Sequence, residues 1–312
     1  MKFAFIFPGQ GSQSVGMMRG YADFAVVEDT FVEASDILKQ DFWAMANDGP
    51  AETLALTVNT QPLMLIAGIA VYRVWLAAGG RPPDYMAGHS LAEYTALVAS
   101  GAIAFADALP LVRLRAEAMQ DAVPIGAGGM AAILGLDDEA ICQVCCDAAD
   151  EAKGEPLEPA NFNSPGQVVI AGHKNAIERG IALAKERGAK RAVLLAMSVP
   201  SHCSMMSPAA EKLWGYLQDI EVRPPAVPVL HNYNVLAYND PVTIKAALVK
   251  QLTSPVRWVD TIRALAAAGT THVVECGPGK VLAGLNKRID ANLESAALID
   301  AESIKQTVTI LG

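Results

Sequence analysis

The sequence of 312 residues has few basic residues and no cluster of them. Lysine and arginine number 24 against 33 aspartates and glutamates, so the formal net charge is −9. Proteins that bind nucleic acid need lysine and arginine to neutralise phosphates. We therefore expect no nucleic acid ligand, and an acidic partner would need a local basic patch that composition does not locate.

The sequence also lacks the cysteine pattern of a disulfide framework or a zinc site. The chain has five cysteines, an odd number with irregular spacing. Cys142, Cys145 and Cys146 are close together, but no Cys or His pair follows them at ligand spacing. We interpret all five as reduced thiols of a cytoplasmic protein and expect no bound metal.

We expect neither a signal peptide nor a membrane span. Only Lys2 is basic ahead of the first apolar run, and this run predicts a buried parallel strand over Phe3–Phe7. The apolar stretch 62–78 is interrupted by Arg73 and is short for a membrane span. It predicts a buried helix with Pro62 in its first turn.

Strands that alternate with helices predict an α/β fold whose mostly parallel sheet is covered on both faces. Short strands are expected near 227–230, 272–275 and 297–299, in addition to the first strand. Hydrophobic periodicity predicts helices over about 17–40, 62–79, 91–101, 105–121, 206–218, 241–252, 258–268 and 280–290.

A different order of elements, β-α-β-β-α-β, is expected between 125 and 197, where the predicted last strand covers 191–197. This is the order of a ferredoxin-like unit. We therefore expect a small ferredoxin-like domain of residues 125–197, inserted into a large domain formed by 1–124 and 198–312.

Ser90 is the first candidate for chemistry. It lies in Gly88-His89-Ser90-Leu91-Ala92, between a short apolar run and a helix-like stretch. Such a segment puts a serine on a sharp strand-to-helix turn, with its hydroxyl near the positive end of the helix. Ala92 stands where the pattern usually has glycine, which suits the turn only if its φ is negative. The alternative is an ordinary buried turn.

A serine nucleophile needs a base, and the chain offers five histidines: His89, His173, His202, His231 and His272. His89 adjoins Ser90, but neighbouring side chains at such a corner point apart. His202 lies in a loop where the chain returns to the large domain, and a loop that enters an interdomain cleft suits a base. We favour His202, with a loop histidine of no catalytic role as the alternative.

Arg115 falls in the middle of the apolar face of the helix predicted over 105–121, whereas Arg113 falls on the opposite face. A buried guanidinium without a partner is costly. Its partner is either an internal Asp or Glu or the carboxylate of a ligand, which a guanidinium can bind in a bidentate fork.

These motifs together resemble the malonyl-CoA:acyl carrier protein transacylases of bacterial fatty acid synthesis, and the likeness covers nearly the whole chain. Several separated motifs in the same order are more specific than any single one. The matching segments are 7–13, 88–94, Arg115 with 119–120, 199–202, 251–252 with 255–256, and 275–282.

The resemblance implies an α/β-hydrolase-like core with a mostly parallel sheet plus an inserted ferredoxin-like small domain. It also implies ping-pong covalent catalysis in which Ser90 attacks the malonyl thioester and His202 transfers the protons. The backbone carbonyl of Gln251 would orient His202. The N–H groups of Gln10 and Leu91 would form the oxyanion hole, and Arg115, together with Gln10, would bind the malonyl group.

Malonyl-CoA and acyl carrier protein are the partners that the resemblance implies, with no further cofactor, because CoA and phosphopantetheine are parts of the substrates. We expect a cytoplasmic monomer. In related polyketide acyltransferases a leucine at the position of Leu91 accompanies malonyl selection, which favours malonyl over methylmalonyl, whereas Ser201 is less decisive.

Three alternatives remain at this point. A free-standing polyketide acyltransferase or the malonyltransferase subunit of a malonate decarboxylase would share the chemistry and differ in the carrier. A serine hydrolase would use Ser90 and His202 but has no use for Arg115 in a carboxylate clamp, and it would normally have an acidic residue that orients the base. A non-catalytic carrier-binding protein would not need Ser90, His202, Arg115 and Gln10 together.

Asn161 and Asn163 either reach the site or serve only a turn, and the sequence leaves both possibilities open.

Overall fold

The structure is a computed structural model that describes residues 1–196 and 199–312. The first part of the chain forms β1 (Phe3–Phe7), α1 (Ala25–Leu38), α2 (Phe42–Asp48), α3 (Ala51–Ala55), α4 (Thr57–Ala77), β2 (Tyr85–Gly88), α5 (Ala92–Ala99) and α6 (Phe105–Asp121). The middle part forms β3 (Gly128–Leu134), α7 (Asp138–Glu151), β4 (Leu157–Ser164), β5 (Gln167–His173), α8 (Lys174–Glu186) and β6 (Arg191–Leu194). The last part forms α9 (Ser207–Leu217), β7 (Val229–Leu230), α10 (Pro241–Leu252), α11 (Trp258–Ala267), β8 (His272–Glu275), α12 (Val281–Ile289), β9 (Glu294–Ala297) and α13 (Ala301–Leu311).

The larger sheet is parallel, with strand order β7-β2-β1-β8-β9. β1 is its central strand, and all five of its residues are fully buried. A strand covered by helices on both faces needs an apolar run without alternation, which is what the sequence has there. The predicted α/β core with a mostly parallel sheet is confirmed.

The carboxyl ends of three neighbouring strands meet at one edge of this sheet. Phe7 pairs with Gly88 at the ends of β1 and β2, and Ile6 pairs with Glu275 at the end of β8. Ligands of open α/β sheets bind outside the carboxyl ends of the strands. The loops that leave this edge are therefore the natural place for a site.

The smaller sheet is antiparallel, with strand order β4-β5-β3-β6 and helices α7 and α8 between its strands in sequence. This is the predicted ferredoxin-like order of elements, and a separate apolar core lies between this sheet and its helices. The last strand ends at Leu194. Its predicted end at Met197, and Ser198 at the proposed domain boundary, lie outside the described residues.

Two backbone hydrogen bonds join the smaller sheet to the larger part of the molecule. Phe162 in β4 donates its N–H to the carbonyl of Val256 at 2.9 Å, and Val256 donates to Ala160 at 2.8 Å. Val256 lies in the loop between α10 and α11. These contacts fix the smaller sheet beside the carboxyl edge of the larger one and form a cleft between them.

Helix α4 is long and apolar enough to cross a membrane by length and composition, but 83% of its most apolar window is buried inside the fold. The prediction of a buried helix is confirmed, whereas the prediction that Pro62 lies in its first turn is wrong. The helix begins earlier, at Thr57, because the buried polar side chains of Asn59 and Thr60 bond to the carbonyls of Thr53 and Leu54 and fix an extra turn.

Two other predicted elements are displaced. The helix expected over 17–40 is interrupted: a short 3-10 turn, Arg19–Tyr21, is followed by extended backbone at Phe24, and only then does α1 begin. The strand expected over 297–299 is β9, three residues earlier. β9 is a half-buried edge strand, so its residues lack the apolar run that the prediction relied on. Helices α2, α3 and α13 were not predicted.

Candidate active site

Ser90 lies on a sharp corner between β2 and α5. A Cβ added to Gly88 would lie 1.8 Å from the carbonyl oxygen of Ala92, so only glycine fits between the strand and the helix. Ala92 is fully buried as the first helical residue, and it is not among the residues with positive φ. The corner therefore accepts alanine at the position where the motif usually has glycine.

The backbone of Ser90 is held in an unfavourable conformation. Its φ is +55°, and a left-handed conformation in a residue other than glycine costs about 1–3 kcal/mol unless its surroundings hold it. Both sides of the residue are bonded: its N–H donates to Oδ1 of Asn232 at 2.7 Å, and its carbonyl accepts from Nε2 of Gln251 at 3.0 Å. Asn232 also donates to the carbonyl of Gly88 at 2.7 Å.

His202 is in hydrogen-bonding contact with this serine. Its Nε2 lies 2.6 Å from Oγ of Ser90, and its Nδ1 lies 2.9 Å from the backbone carbonyl oxygen of Gln251. A carbonyl can only accept, so Nδ1 carries the hydrogen and Nε2 offers its lone pair to the serine hydroxyl. Burial, together with the positive charge of Arg115, lowers the pKa of His202 to about 3. The imidazole is therefore neutral near pH 7, as a base must be.

Arg115 lies in the same place with an exposed fraction of 1%. Its Nη1 donates to Oε1 of Gln61 at 2.6 Å and its Nη2 to Oε1 of Gln251 at 3.0 Å. The ring of Tyr94 lies 5.6 Å from the guanidinium carbon. Both hydrogen-bond partners are neutral amides, so the internal carboxylate that was one sequence alternative is not in direct contact with Arg115. Burial lowers the pKa of the guanidinium, and the nearby carboxylate of Glu93 acts in the opposite direction.

The backbone at Gln10 and Leu91 borders the same corner. A Cβ at Gly9 would lie 2.5 Å from the carbonyl oxygen of His89, so the loop after β1 passes directly against the serine turn. Leu91 is the N-cap of α5, where helix N–H groups are unpaired and the dipole is positive. The structure thus places both residues at the serine corner, where they line the same cavity.

A cavity of about 170 Å³ connects these groups at the cleft between the two sheets. It is lined from the larger part by Gln10, Gln61, His89, Ser90, Leu91, Arg115, Met119, Ser201 and His202. From the smaller sheet it is lined by Met130, Asn161, Asn163 and Val169, and by Leu195, which directly follows the last strand. All the candidate residues of the sequence except Gln251 line this cavity, and Gln251 lies directly behind it.

The open question about the asparagines has an answer in these contacts. Asn163 is the seventh residue of β4 rather than a turn residue, and its Oδ1 lies 2.8 Å from Nε2 of His89. Asn161 lines the cavity beside it. His89 faces Asn163 and packs near the ring of Trp258, with centroids 5.3 Å apart, which agrees with the expectation that it is not the base.

Sequence reasoning missed three polar residues that surround the site. Gln61 and Asn232 bond directly to Arg115 and Ser90, and Glu93 bonds to the side chain of Gln251. Gln61 had a detectable signal, because it is polar at the start of the long apolar helix. Glu93 and Asn232 had none, because their partners are 158 and 142 residues away in the chain.

A family model described as the acyl transferase domain matches residues 4–306. A protein of Salmonella typhimurium named malonyl CoA-acyl carrier protein transacylase is 52% identical over 309 residues, which are 99% of each chain. The crystal structure of an acyl-carrier-protein S-malonyltransferase from Burkholderia pseudomallei is 56% identical, with a TM-score of 0.97 and coverage of 99% of this chain and 100% of that one.

A second solved structure contains a partner. It is described as a type II PKS acyl-carrier protein in complex with its malonyl-transacylase. The matched chain is 48% identical to this one, with a TM-score of 0.97 and coverage of 99% of this chain and 100% of that one. The chain therefore belongs to the acyl transferase family, and within that family to the malonyl-CoA:acyl carrier protein transacylases.

Proposed function

We propose that the protein transfers the malonyl group from malonyl-CoA to the phosphopantetheine thiol of an acyl carrier protein through a malonyl ester of Ser90. The observation that carries the proposal is the joint geometry of one cavity. A serine hydroxyl lies 2.6 Å from a neutral imidazole, and a buried guanidinium lines the same space. Among the described residues this guanidinium is hydrogen-bonded only to neutral amides.

In the first half-reaction Oγ of Ser90 attacks the thioester carbonyl while Nε2 of His202 takes its proton. The tetrahedral oxygen carries the negative charge, and the N–H groups of Gln10 and Leu91 would stabilise it, each by about 3 kcal/mol. The carbon–sulfur bond then breaks, and the imidazolium returns its proton to the leaving CoA thiolate. The carbonyl of Gln251 accepts from Nδ1 throughout and stabilises the imidazolium.

The second half-reaction reverses these steps with a different thiol. His202 takes the proton of the pantetheine thiol, the thiolate attacks the malonyl ester, and Oγ of Ser90 leaves and regains the proton. Every bond and proton is assigned to the serine, the imidazole and the two thiols, so the proposal requires no cofactor.

Arg115 would select the acyl group. Its guanidinium would pair with the free carboxylate of the malonyl group in place of the missing internal carboxylate, and Gln10 lies beside the same cavity. An acetyl group has no carboxylate and would leave the buried charge without an ionic partner, which discriminates strongly. A methyl branch changes only packing, which is worth about 1–3 kcal/mol, so Arg115 does not distinguish malonyl from methylmalonyl. We propose malonyl because a leucine at the position of Leu91 accompanies malonyl selection in related polyketide acyltransferases.

The orientation of the base supports a transferase over a serine hydrolase. A hydrolase of this kind normally holds its histidine with a carboxylate, whereas the partner of His202 is a backbone carbonyl. Relatives named for an acyl carrier protein also favour the carrier over water as acceptor. A malonate decarboxylase subunit has no support among the relatives described above, and we propose a fatty acid carrier as the acceptor and a cytoplasmic monomer as the working form.

Steady-state kinetics test the proposal. With malonyl-CoA and holo carrier protein varied together, a malonyl-Ser90 intermediate predicts parallel double-reciprocal lines, and the apo carrier, which has no thiol, should accept nothing. Lines that intersect would indicate direct transfer between the two substrates and would contradict the intermediate. The rates for a fatty acid carrier and a polyketide carrier, compared under identical conditions, test which carrier is preferred.

A further inference from the structure

The proposed reaction leaves one buried carboxylate beside the site without a role. Glu93 is the second residue of α5, and its exposed fraction is 0%. Oε1 accepts from Nδ1 of His231 at 2.7 Å, while Oε2 accepts from the backbone N–H of Asn232 at 2.8 Å and from Nε2 of Gln251 at 2.9 Å. A buried carboxylate is retained only with such donors, so its surroundings are built for it.

One connection runs from Glu93 to the serine through Asn232. The carboxylate holds the backbone of Asn232, and the side chain of that residue bonds to the carbonyl of Gly88 and to the N–H of Ser90. The unfavourable φ of Ser90 is thus maintained by a residue whose own position depends on Glu93.

A second connection runs through the side chain of Gln251. Its NH₂ group has two acceptors, the carboxylate of Glu93 and the carbonyl of Ser90. The amide can satisfy both only with nitrogen on that side, so its oxygen faces Arg115. The backbone carbonyl of the same residue orients His202. Gln251 therefore links the nucleophile, the base and the guanidinium, and Glu93 fixes its orientation.

We propose that Glu93 is a positioning residue of the acyl-transfer site, which holds the Ser90 corner through Asn232 and the guanidinium of Arg115 through Gln251. The inference rests on the proposed function. Glu93 touches none of the reacting atoms. Its negative charge is separated from Arg115 by one amide group, and it partly offsets the buried positive charge while leaving the guanidinium free for a substrate carboxylate.

Two substitutions compare the loss of the whole Glu93 side chain with the loss of its charge alone. Glu93→Ala removes all three acceptor contacts. Glu93→Gln can keep them: its oxygen can take the place of Oε2 and accept from Asn232 and Gln251, while its NH₂ donates to His231. That requires His231 to carry its hydrogen on Nε2, which has no partner within the described residues, so one buried N–H stays unpaired. The conservative variant should still restore most of the function, because the contacts with Asn232 and Gln251 are kept.

The experiment measures the rate of Ser90 acylation by malonyl-CoA and by acetyl-CoA, by intact-protein mass spectrometry. For Glu93→Ala we expect malonyl acylation to fall by about 100-fold, since misplacement of a reacting group by 1 Å costs that much. The ratio of malonyl to acetyl acylation should fall by about tenfold, because Arg115 loses its fixed partner. Glu93→Gln should recover most of the malonyl acylation rate and most of the malonyl-to-acetyl ratio.

Glu275 provides the matched control. It is a second fully buried acidic side chain, at the end of β8, where it accepts from the backbone N–H of Ala283 at 2.8 Å. Within the described residues its carboxyl group has no hydrogen bond to a residue of the site. Glu275→Ala should lower the unfolding temperature but leave the acyl ratio of the folded protein unchanged. If Glu93→Ala behaved in the same way, Glu93 would be a structural residue only and the inference would be wrong.

Gln251→Met keeps the test decisive if Glu93→Ala does not fold. It retains the backbone carbonyl that orients His202 and removes the amide that bonds to Glu93, Ser90 and Arg115. We expect both acylation rates to fall, because the carbonyl of Ser90 also loses a donor, and the malonyl rate to fall by the larger factor. An unchanged malonyl-to-acetyl ratio would overturn the path through Gln251. Failure of the wild-type protein to form any malonyl ester would instead refute the proposed function, and the inference with it.

Discussion

The chemistry depends on a serine whose backbone is held against its own preference. Ser90 has a positive φ, and the next peptide groups are bonded to Asn232 and Gln251 on either side. His202 also has a positive φ, of +64°. Oγ of Ser90 and Nε2 of His202 lie 2.6 Å apart, although both residues have this unfavourable backbone conformation. The surrounding contacts therefore hold the nucleophile and the base in alignment.

Replacement of Arg115 by alanine should change which acyl group is accepted. Without the guanidinium, a malonyl carboxylate would be buried without a partner, so we expect malonyl acylation of Ser90 to fall by about 10³-fold or more and acetyl acylation by less than about tenfold. Rapid-quench mass spectrometry with both thioesters measures this. Equal losses for the two groups would assign Arg115 a purely structural role.

The depressed pKa of His202 predicts a specific dependence of stability on pH. The group titrates near 6.5 when unfolded and at about 3 when folded, so the unfolded chain binds a proton first as pH falls. Its contribution to stability is complete above pH 6.5 and is lost between pH 6.5 and 3. The unfolding temperature of the wild type should fall more steeply over that window than that of His202→Asn, and parallel curves would contradict the neutral buried imidazole.

Single elements position these residues through close backbone contacts. The serine corner can form because β2 ends in a glycine that packs against the first turn of α5. Helices α4 and α6 place Gln61 and Arg115 next to this corner. The short loop after β1 passes against the same corner at Gly9. Each element contributes one or two groups, and the sheet edge brings them together.

Gly88 and Ala92 should respond very differently to substitution. Gly88→Ala puts a Cβ 1.8 Å from a backbone oxygen that cannot move alone, so we expect a loss of about 3 kcal/mol in the free energy of unfolding. Ala92→Gly needs no special φ and should cost only about 0.5–1 kcal/mol through helix propensity. Urea denaturation measures both, and a tolerated Gly88→Ala would refute the close approach of strand and helix.

Sequence patterns identified those features of the fold and of the site that are determined by residues close together in the chain. The apolar run of β1, the serine turn and the buried face of α6 that carries Arg115 were all visible in short windows, and the structure has them there. The half-buried edge strand β9 was misplaced and the interruption before α1 was missed, since neither has a distinct periodicity. Glu93 and Asn232 were missed because only the folded sheet edge brings them to Ser90 and Gln251.

At the scale of the whole molecule, the site exists because two sheets are held side by side. The larger part of the molecule supplies the nucleophile, the base and the guanidinium, while the smaller antiparallel sheet supplies Met130 and Val169 to the opposite wall of the cavity. The backbone hydrogen bonds of Val256 with Ala160 and Phe162 hold the smaller sheet beside the larger part of the molecule.

The measurement that tests the central claim most directly is intact-protein mass spectrometry after mixing with malonyl-CoA, followed by addition of holo carrier protein. The account predicts one malonyl adduct on the peptide that contains Ser90, no adduct in Ser90→Ala, and movement of the malonyl group to the carrier. An adduct that decays to water at the same rate with or without the carrier would contradict the transferase and indicate a hydrolase. No adduct with malonyl-CoA, but one with methylmalonyl-CoA, would retain the covalent mechanism and refute the proposed substrate.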